Sequence, residues 1–203
     1  MKLYKYKSLR NLWHVLDIIV NSRLYCAHWS ELNDPLEGRY EVYLGNKEAR
    51  LKELLVGQIE LKKDSYRVAS LSASADAFLL WSHYADGHKG VAIEVNIPED
   101  DPDLLAVTYS PFSSVFTKKL QTEEDVRHLF NGKSEEWAYE REYRVVASSE
   151  YFQLPVPVAR VLIGPMVDED QLRILRSVIP SSVELAKTHL DTVQGVLRFA
   201  SET

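Results

Sequence analysis

A single cysteine, Cys26, stands in the whole sequence, so no disulfide can close within the chain. At 203 residues the chain does not need one, because a domain of this size buries a full apolar core unaided. No apolar run approaches the roughly 18 residues that a membrane-spanning helix requires. The opening Met1-Lys2-Leu3-Tyr4-Lys5-Tyr6-Lys7 alternates charged with apolar residues, unlike the apolar stretch of a secretory signal. Together these absences predict a reducing, cytoplasmic location and no membrane partner. Excess positive charge is missing too. Lys and Arg number 24 against 30 Asp and Glu, a net charge of −6, and no basic cluster of the size that coats nucleic acid occurs. A local basic groove remains compatible with that balance. Internal repeats, low-complexity tracts and long linkers are also absent.

What the sequence does hold is the composition of a globular protein, 45% hydrophobic and 27% charged. Aromatic residues make up 10%, with 11 Tyr and 4 Trp, which favours a sheet and pocket walls over a plain helical bundle. Periodicity predicts strands over Leu3–Lys7, Leu24–His28, Tyr66–Leu71, Val91–Val95, Leu105–Tyr109, Val158–Ile163, Val183–Thr188 and Val193–Phe199. A long strand is predicted over Glu136–Ala147. Helices are expected after the cap Ser8 to about Arg23, over Lys47–Lys63, after Asp76 through Tyr84, over Thr122–Phe130 and over Asp168–Ile179. The order departs from strict βαβ alternation. The fold class is therefore α+β, a single domain over residues 1–203, with a mixed, mainly antiparallel sheet of about eight strands and four or five helices.

Four constellations could carry chemistry. In a strand, Glu140, Glu142 and Arg144 share one face about 7 Å apart per step. Trp137, Tyr139 and Tyr143 border them. A carboxylate shielded by aromatics has a raised pKa and a neighbouring Arg lowers it, the tuning that a general base or a charge-stabilising carboxylate needs. The same face could equally be a solvated ladder of weak ion pairs. Leu80–Glu94 is the second. Helical spacing turns Trp81 and Tyr84 the same way, as one wall of a cleft. His83 and His88 flank a glycine turn at a spacing that does not suit zinc, so no metal site is expected and structural histidines are the plain alternative. Glu94 lies on the less apolar face of its strand, together with Glu142. The third is Leu32-Asn33-Asp34-Pro35-Leu36-Glu37, a turn-rich loop that either caps the core or covers a cleft mouth, with Glu37 free to pair with an Arg. The fourth is Ser70-Leu71-Ser72-Ala73-Ser74, alternate hydroxyls that line a polar pocket or cap a strand end.

In this order along the chain, Tyr4-Lys5-Tyr6, Leu32–Glu37, Leu71–Ser74, Trp81–Gly90 and Trp137–Arg144 resemble the bacterial family called domain of unknown function 2971. The resemblance runs roughly from Leu3 to Phe199 and brings no activity with it. A more distant similarity is to the layout of ADP-ribosyltransferases. It implies that NAD is the co-substrate and that Tyr4 or Tyr6 positions it. Ser72 would support the nicotinamide ribose, and Trp81 or Tyr84 would stack on the nicotinamide. Glu142 would stabilise the oxocarbenium as nicotinamide leaves, with Glu140 as the preceding acid. The sequence departs from that layout in having no His on the first strand, no Ser-Thr-Ser, and a Glu-Arg-Glu placed mid-strand.

Three classes of function follow. One is an NAD-utilising transferase or hydrolase centred on Glu142, Glu140 and Arg144, taking a small molecule or nucleotide. Another is a phosphoester hydrolase using Glu94, Glu142, His83 and His88. The third is a non-catalytic module that binds a partner protein, of the kind used in bacterial stress or phage defence, in which arginines 141 and 144 lock Glu94 or Glu37.

Overall fold

The computed structural model describes residues 1–34, 37–38, 40, 49–110, 126–191 and 196–199. The predicted residues Pro35 and Leu36, the first four residues of the helix forecast over Thr122–Phe130, and the start of the last strand lie outside them. Four α-helices lie wholly within the described residues, α1 (Leu12–Asn21), α2 (Ala49–Asp64), α3 (Phe78–Tyr84) and α4 (Glu169–Val178), and Val126 and Arg127 are α-helical as well. Strands are β1 (Lys2–Lys7), β2 (Arg23–Tyr25), β3 (Ala27–His28), β4 (Arg67–Ser72), β5 (Val91–Asn96), β6 (Leu104–Ala106), β7 (Thr108–Ser110), β8 (Gly132–Ser134), β9 (Glu142–Ala147), β10 (Tyr151–Gln153), β11 (Arg160–Ile163), β12 (Glu184–Asp191) and β13 (Val196–Phe199).

Eight strands follow one path, β13-β12-β11-β5-β1-β4-β9-β6, and β3 adds to the edge of β4. Every pairing in that sheet is antiparallel except β11 with β12. The α+β class with a mixed, mainly antiparallel sheet is thus the observed one. No described helix is long and apolar enough to cross a membrane.

Strand alternation divides the core. Leu3, Leu71, Val91, Ile93, Val145, Val161 and Ile163 point to one face, where Val15, Ile18 and Ile19 of α1 and Leu172 and Leu175 of α4 cover them. The caps agree with the sequence: Ser8 accepts from Arg10 N, and Asp168 accepts from Gln171 N. The opposite face carries two smaller apolar clusters. Tyr6, Ala92 and Leu162 pack under Leu80, Trp81 and Ala85 of α3 and its C-terminal end, and Val68 and Val146 pack under Phe130. Between those clusters the same face is polar.

One junction of the sheet differs from its neighbours. β1 pairs with β5 at six positions and β4 pairs with β9 at six, but β1 and β4 meet only at Tyr4 and Ser72. Beyond that pair the two strands splay. β3 then takes over the same edge of β4 at Ala27–Val68 and His28–Arg67. The sheet is left with a fork at its centre.

Candidate functional site

The fork opens into a cleft of about 350 Å³, at the small end of the range for small-molecule pockets (~300–1,000 Å³). Tyr4, Tyr6, Ser70, Ser72 and Glu142 line it from one face of the sheet, and Lys5, Lys7 and Leu71 from the other. Residues of both faces reach a single cleft only where the sheet is open. Lys5 spans the gap and donates from Nζ to the Ser70 carbonyl oxygen at 2.8 Å.

Register explains the first group. Glu94 stands opposite Tyr4, Tyr4 opposite Ser72, and Ser72 opposite Glu142. Directly paired residues share a face, so these four side chains form one row across β5, β1, β4 and β9. The next row places Ser70 opposite Arg144. Tyr4, Ser72 and Glu142 border the cleft, whereas Glu94 does not; it pairs with Lys2 at 3.1 Å on the far side of Tyr4. Burial and the Glu94 carboxylate push the Tyr4 phenol up.

The expected long strand over Glu136–Ala147 is not observed. Residues Glu135–Glu140 form a 3₁₀ segment, Arg141 adopts left-handed φ/ψ of 44° and 51°, and β9 starts at Glu142. Two tertiary bonds hold this kink: the Ser72 hydroxyl donates to the Glu140 carbonyl at 2.6 Å, and Ala73 N donates to the Arg141 carbonyl at 3.0 Å. Glu140 is therefore not a strand neighbour of Glu142. It still reaches the same place, because the 3₁₀ turn swings it inward.

There the charged residues converge. Arg144 contacts Glu142 at two points, Nε to Oε1 at 2.8 Å and Nη2 to Oε2 at 2.9 Å. Its Nη2 also donates to Glu37 at 2.8 Å, and its Nη1 to the Phe130 carbonyl at 2.7 Å. Lys133 donates to Glu140 at 2.6 Å and to Glu142 at 3.0 Å, and lies 3.3 Å from Glu37. All five side chains are buried, Arg144 completely. The Tyr84 hydroxyl donates to Glu140 at 2.8 Å, and the Tyr109 hydroxyl accepts from Glu142 N at 2.7 Å.

Burial alone would raise the carboxyls of Glu37 and Glu142. It wins at Glu37, whose pKa is raised. At Glu142 the Arg144 guanidinium, Lys133 and the Ser70 hydroxyl overcome burial and hold the carboxyl down to about 2. Lys133 and Arg144 are shifted up by their carboxylate neighbours against the effect of burial. Three carboxylates against two cations leave a formal charge of −1 beside the cleft when Glu37 is ionised.

The remaining predicted site residues are placed as follows. Tyr84 lines the cleft, but Trp81 does not. The Trp81 ring is fully buried against the sheet, edge-on to Tyr6 at 5.2 Å, and its Nε1 donates to the Ala75 carbonyl. The i, i+3 spacing turned both rings to one side, and the sheet beneath the helix took the one nearer its middle. His83 is exposed and outside the cleft lining. His88 is buried, bonds to the Ser82 hydroxyl at 3.0 Å and faces the Phe78 ring, a structural role. Asp76 does not cap α3; it accepts from the Ser74 hydroxyl. Glu37 meets Arg144, as its place in the loop suggested, and Glu94 meets neither arginine 141 nor Arg144. Among the described residues no His, Cys, Asp and Glu side chains form a metal-binding group.

Lys133 and Tyr109 were not anticipated. They sit opposite each other in the short parallel pair β7–β8. Each of those strands has three residues and no periodicity of its own, so only the shortage of cations for three buried glutamates could have pointed to a lysine. No family model, curated protein or solved structure matches the chain.

Proposed function

We propose that the cleft binds NAD and that the chain is an ADP-ribosyltransferase-like enzyme. The observation that carries this reading is the cross-strand row Tyr4–Ser72–Glu142 on three adjacent strands at one cleft. That is the order in which the ADP-ribosyltransferase layout uses a ring to position NAD, a serine to support the ribose, and a glutamate. The left-handed turn at Arg141 makes Glu142 the first residue of its strand, which removes the mid-strand departure expected from the sequence.

The charge arithmetic agrees. In this reaction the bond between ribose C1′ and the nicotinamide nitrogen breaks, nicotinamide leaves with the bonding pair, and positive charge grows on the ribose. With Glu37 ionised, the buried cluster carries a formal −1, is poorly solvated at rest and gains most when a cation develops beside it. Glu142 stays ionised at neutral pH because Arg144 and Lys133 hold it so. Its carboxylate takes bonds from Arg144, Lys133 and the Ser70 hydroxyl, and of these the neutral Ser70 hydroxyl is the one a ribose hydroxyl would replace. Tyr84 and Lys133 fix Glu140 beside it. An acceptor nucleophile, either water or a group on another molecule, then attacks C1′.

A second reading is favoured by one feature: both Glu142 oxygens already have cationic partners. On that reading the network fixes the fold of a binding module, and no turnover exists. Release of nicotinamide from NAD, measured on wild type and on Glu142→Gln, separates the two. Transfer chemistry predicts release that the substitution abolishes while the chain stays folded. A chain that binds no NAD and releases no nicotinamide is the module.

A further inference from the structure

We propose that Lys5 and Lys7 form a seat for an anionic group of phosphate type, on the opposite face of the sheet from the carboxylates. Alternation along β1 puts Leu3, Lys5 and Lys7 on the face of the main core, where Leu3 is fully buried. Neither lysine follows Leu3 into that core. Both border the cleft at the fork, beside Tyr25 and Ala27.

The two ammonium groups lack what every other partly buried cation of the site has. Lys133 faces three carboxylates and Arg144 faces two. Among the described residues Lys5 has only the Ser70 carbonyl as a bonding partner, and Lys7 forms neither a hydrogen bond nor an ion pair. Two half-buried amines with no ion pair of their own are costly to charge unless something supplies a close counter-charge. Residues i and i+2 of a strand stand about 7 Å apart, and long lysine side chains close that distance onto one phosphate or bridge the two of a diphosphate. The groups facing Lys5 are Lys7 on its own strand, Glu142 from β9 and Cys26 from the link between β2 and β3, and Glu31 borders the same cleft. Burial, with Lys7 adding to it, holds the Lys5 amine down to about 7, and burial also lowers Lys7. An arriving anion reverses both effects, so its binding takes up protons.

The seat stands on these contacts alone; only the identity of the rest of the ligand rests on the NAD reading. Titration calorimetry of the full chain with inorganic pyrophosphate at pH 8 tests it. Binding is expected, weakened at least tenfold in Lys5→Gln and in Lys7→Gln and unchanged in the exposed control Lys89→Gln. Absence of binding to wild type, or unchanged affinity in both lysine variants, overturns it, and the wild-type result needs no variant to fold. Lysine-dependent pyrophosphate binding by a chain that releases no nicotinamide keeps the seat and removes the transferase. Nicotinamide release that survives both lysine substitutions with unchanged KM does the reverse.

Discussion

Glu142 and Arg144, two residues apart on one face of β9, grip each other at 2.8 and 2.9 Å in the protein interior. Neighbours at i, i+2 on a strand seldom need each other. Here they are bound because Arg144 has no access to water and must place every donor: on Glu142, on Glu37 and on the Phe130 carbonyl. A strand, a loop and a 3₁₀ turn are thereby tied to one guanidinium.

Removing that guanidinium strands two buried carboxylates. Arg144→Met is expected to destabilise the fold by about 3–5 kcal/mol, the range for breaking a buried ion pair from one side. Arg144→Lys recovers little, because an ammonium cannot reproduce the forked contact. Urea unfolding followed by tryptophan fluorescence measures both.

Acid titration carries a signed expectation. The Glu142 carboxyl is held at about 2, below its ordinary 4.5. A depressed carboxyl contributes stability that is complete above the unfolded value and lost as pH falls from about 4.5 toward 2. Glu37 is shifted up and acts in the opposite sense, favouring the fold at low pH. The melting temperature of wild type should fall through that window, and Glu142→Gln should flatten the fall; Glu37 acts above the window, stabilising the fold as pH drops from its raised value to 4.5, and Glu37→Gln should remove that gain.

Lys5 sets an alkaline counterpart. With its amine at about 7 in the fold, the unfolded chain binds the extra proton between pH 7 and about 10, so stability rises with pH across that interval. Lys5→Met should reduce that rise to the part that Lys7 contributes, whose amine burial also lowers. Melting temperatures at pH 7, 8 and 9 read it directly.

Much of this site was legible in the sequence for physical reasons. Glu140, Glu142, Arg144 and Glu37 announced themselves as charges among aromatics or beside a tight turn, and burial confirms that such charges must find partners. Tyr4 and Ser72 were legible as alternating strand residues. The fork was not, because the single Tyr4–Ser72 pairing lies between strands 68 residues apart and depends on β3 claiming the rest of the β4 edge. Nor was the kink at Arg141 visible. An arginine in left-handed backbone carries none of the signal that a glycine would, and Ser72 holds it in place from another strand.

Trp81 tests whether α3 is a wall or a foundation. Its ring supports Tyr6 from behind and does not touch the cleft space. Trp81→Ala should cost about 3–5 kcal/mol of stability through the cavity it leaves. Tyr84→Phe should cost about 1 kcal/mol, the lost hydrogen bond to Glu140, and act on ligand turnover more than on folding.

The central claim is that Glu142 stabilises charge on a ribose held in the fork. Nicotinamide release from NAD by wild type and by Glu142→Gln, each checked for a cooperative melt at the assay temperature, tests it most directly. Release by wild type that falls at least a hundredfold in a folded Glu142→Gln is the predicted result. Wild type that neither binds NAD nor releases nicotinamide, or a folded Glu142→Gln that turns over at the wild-type rate, contradicts it.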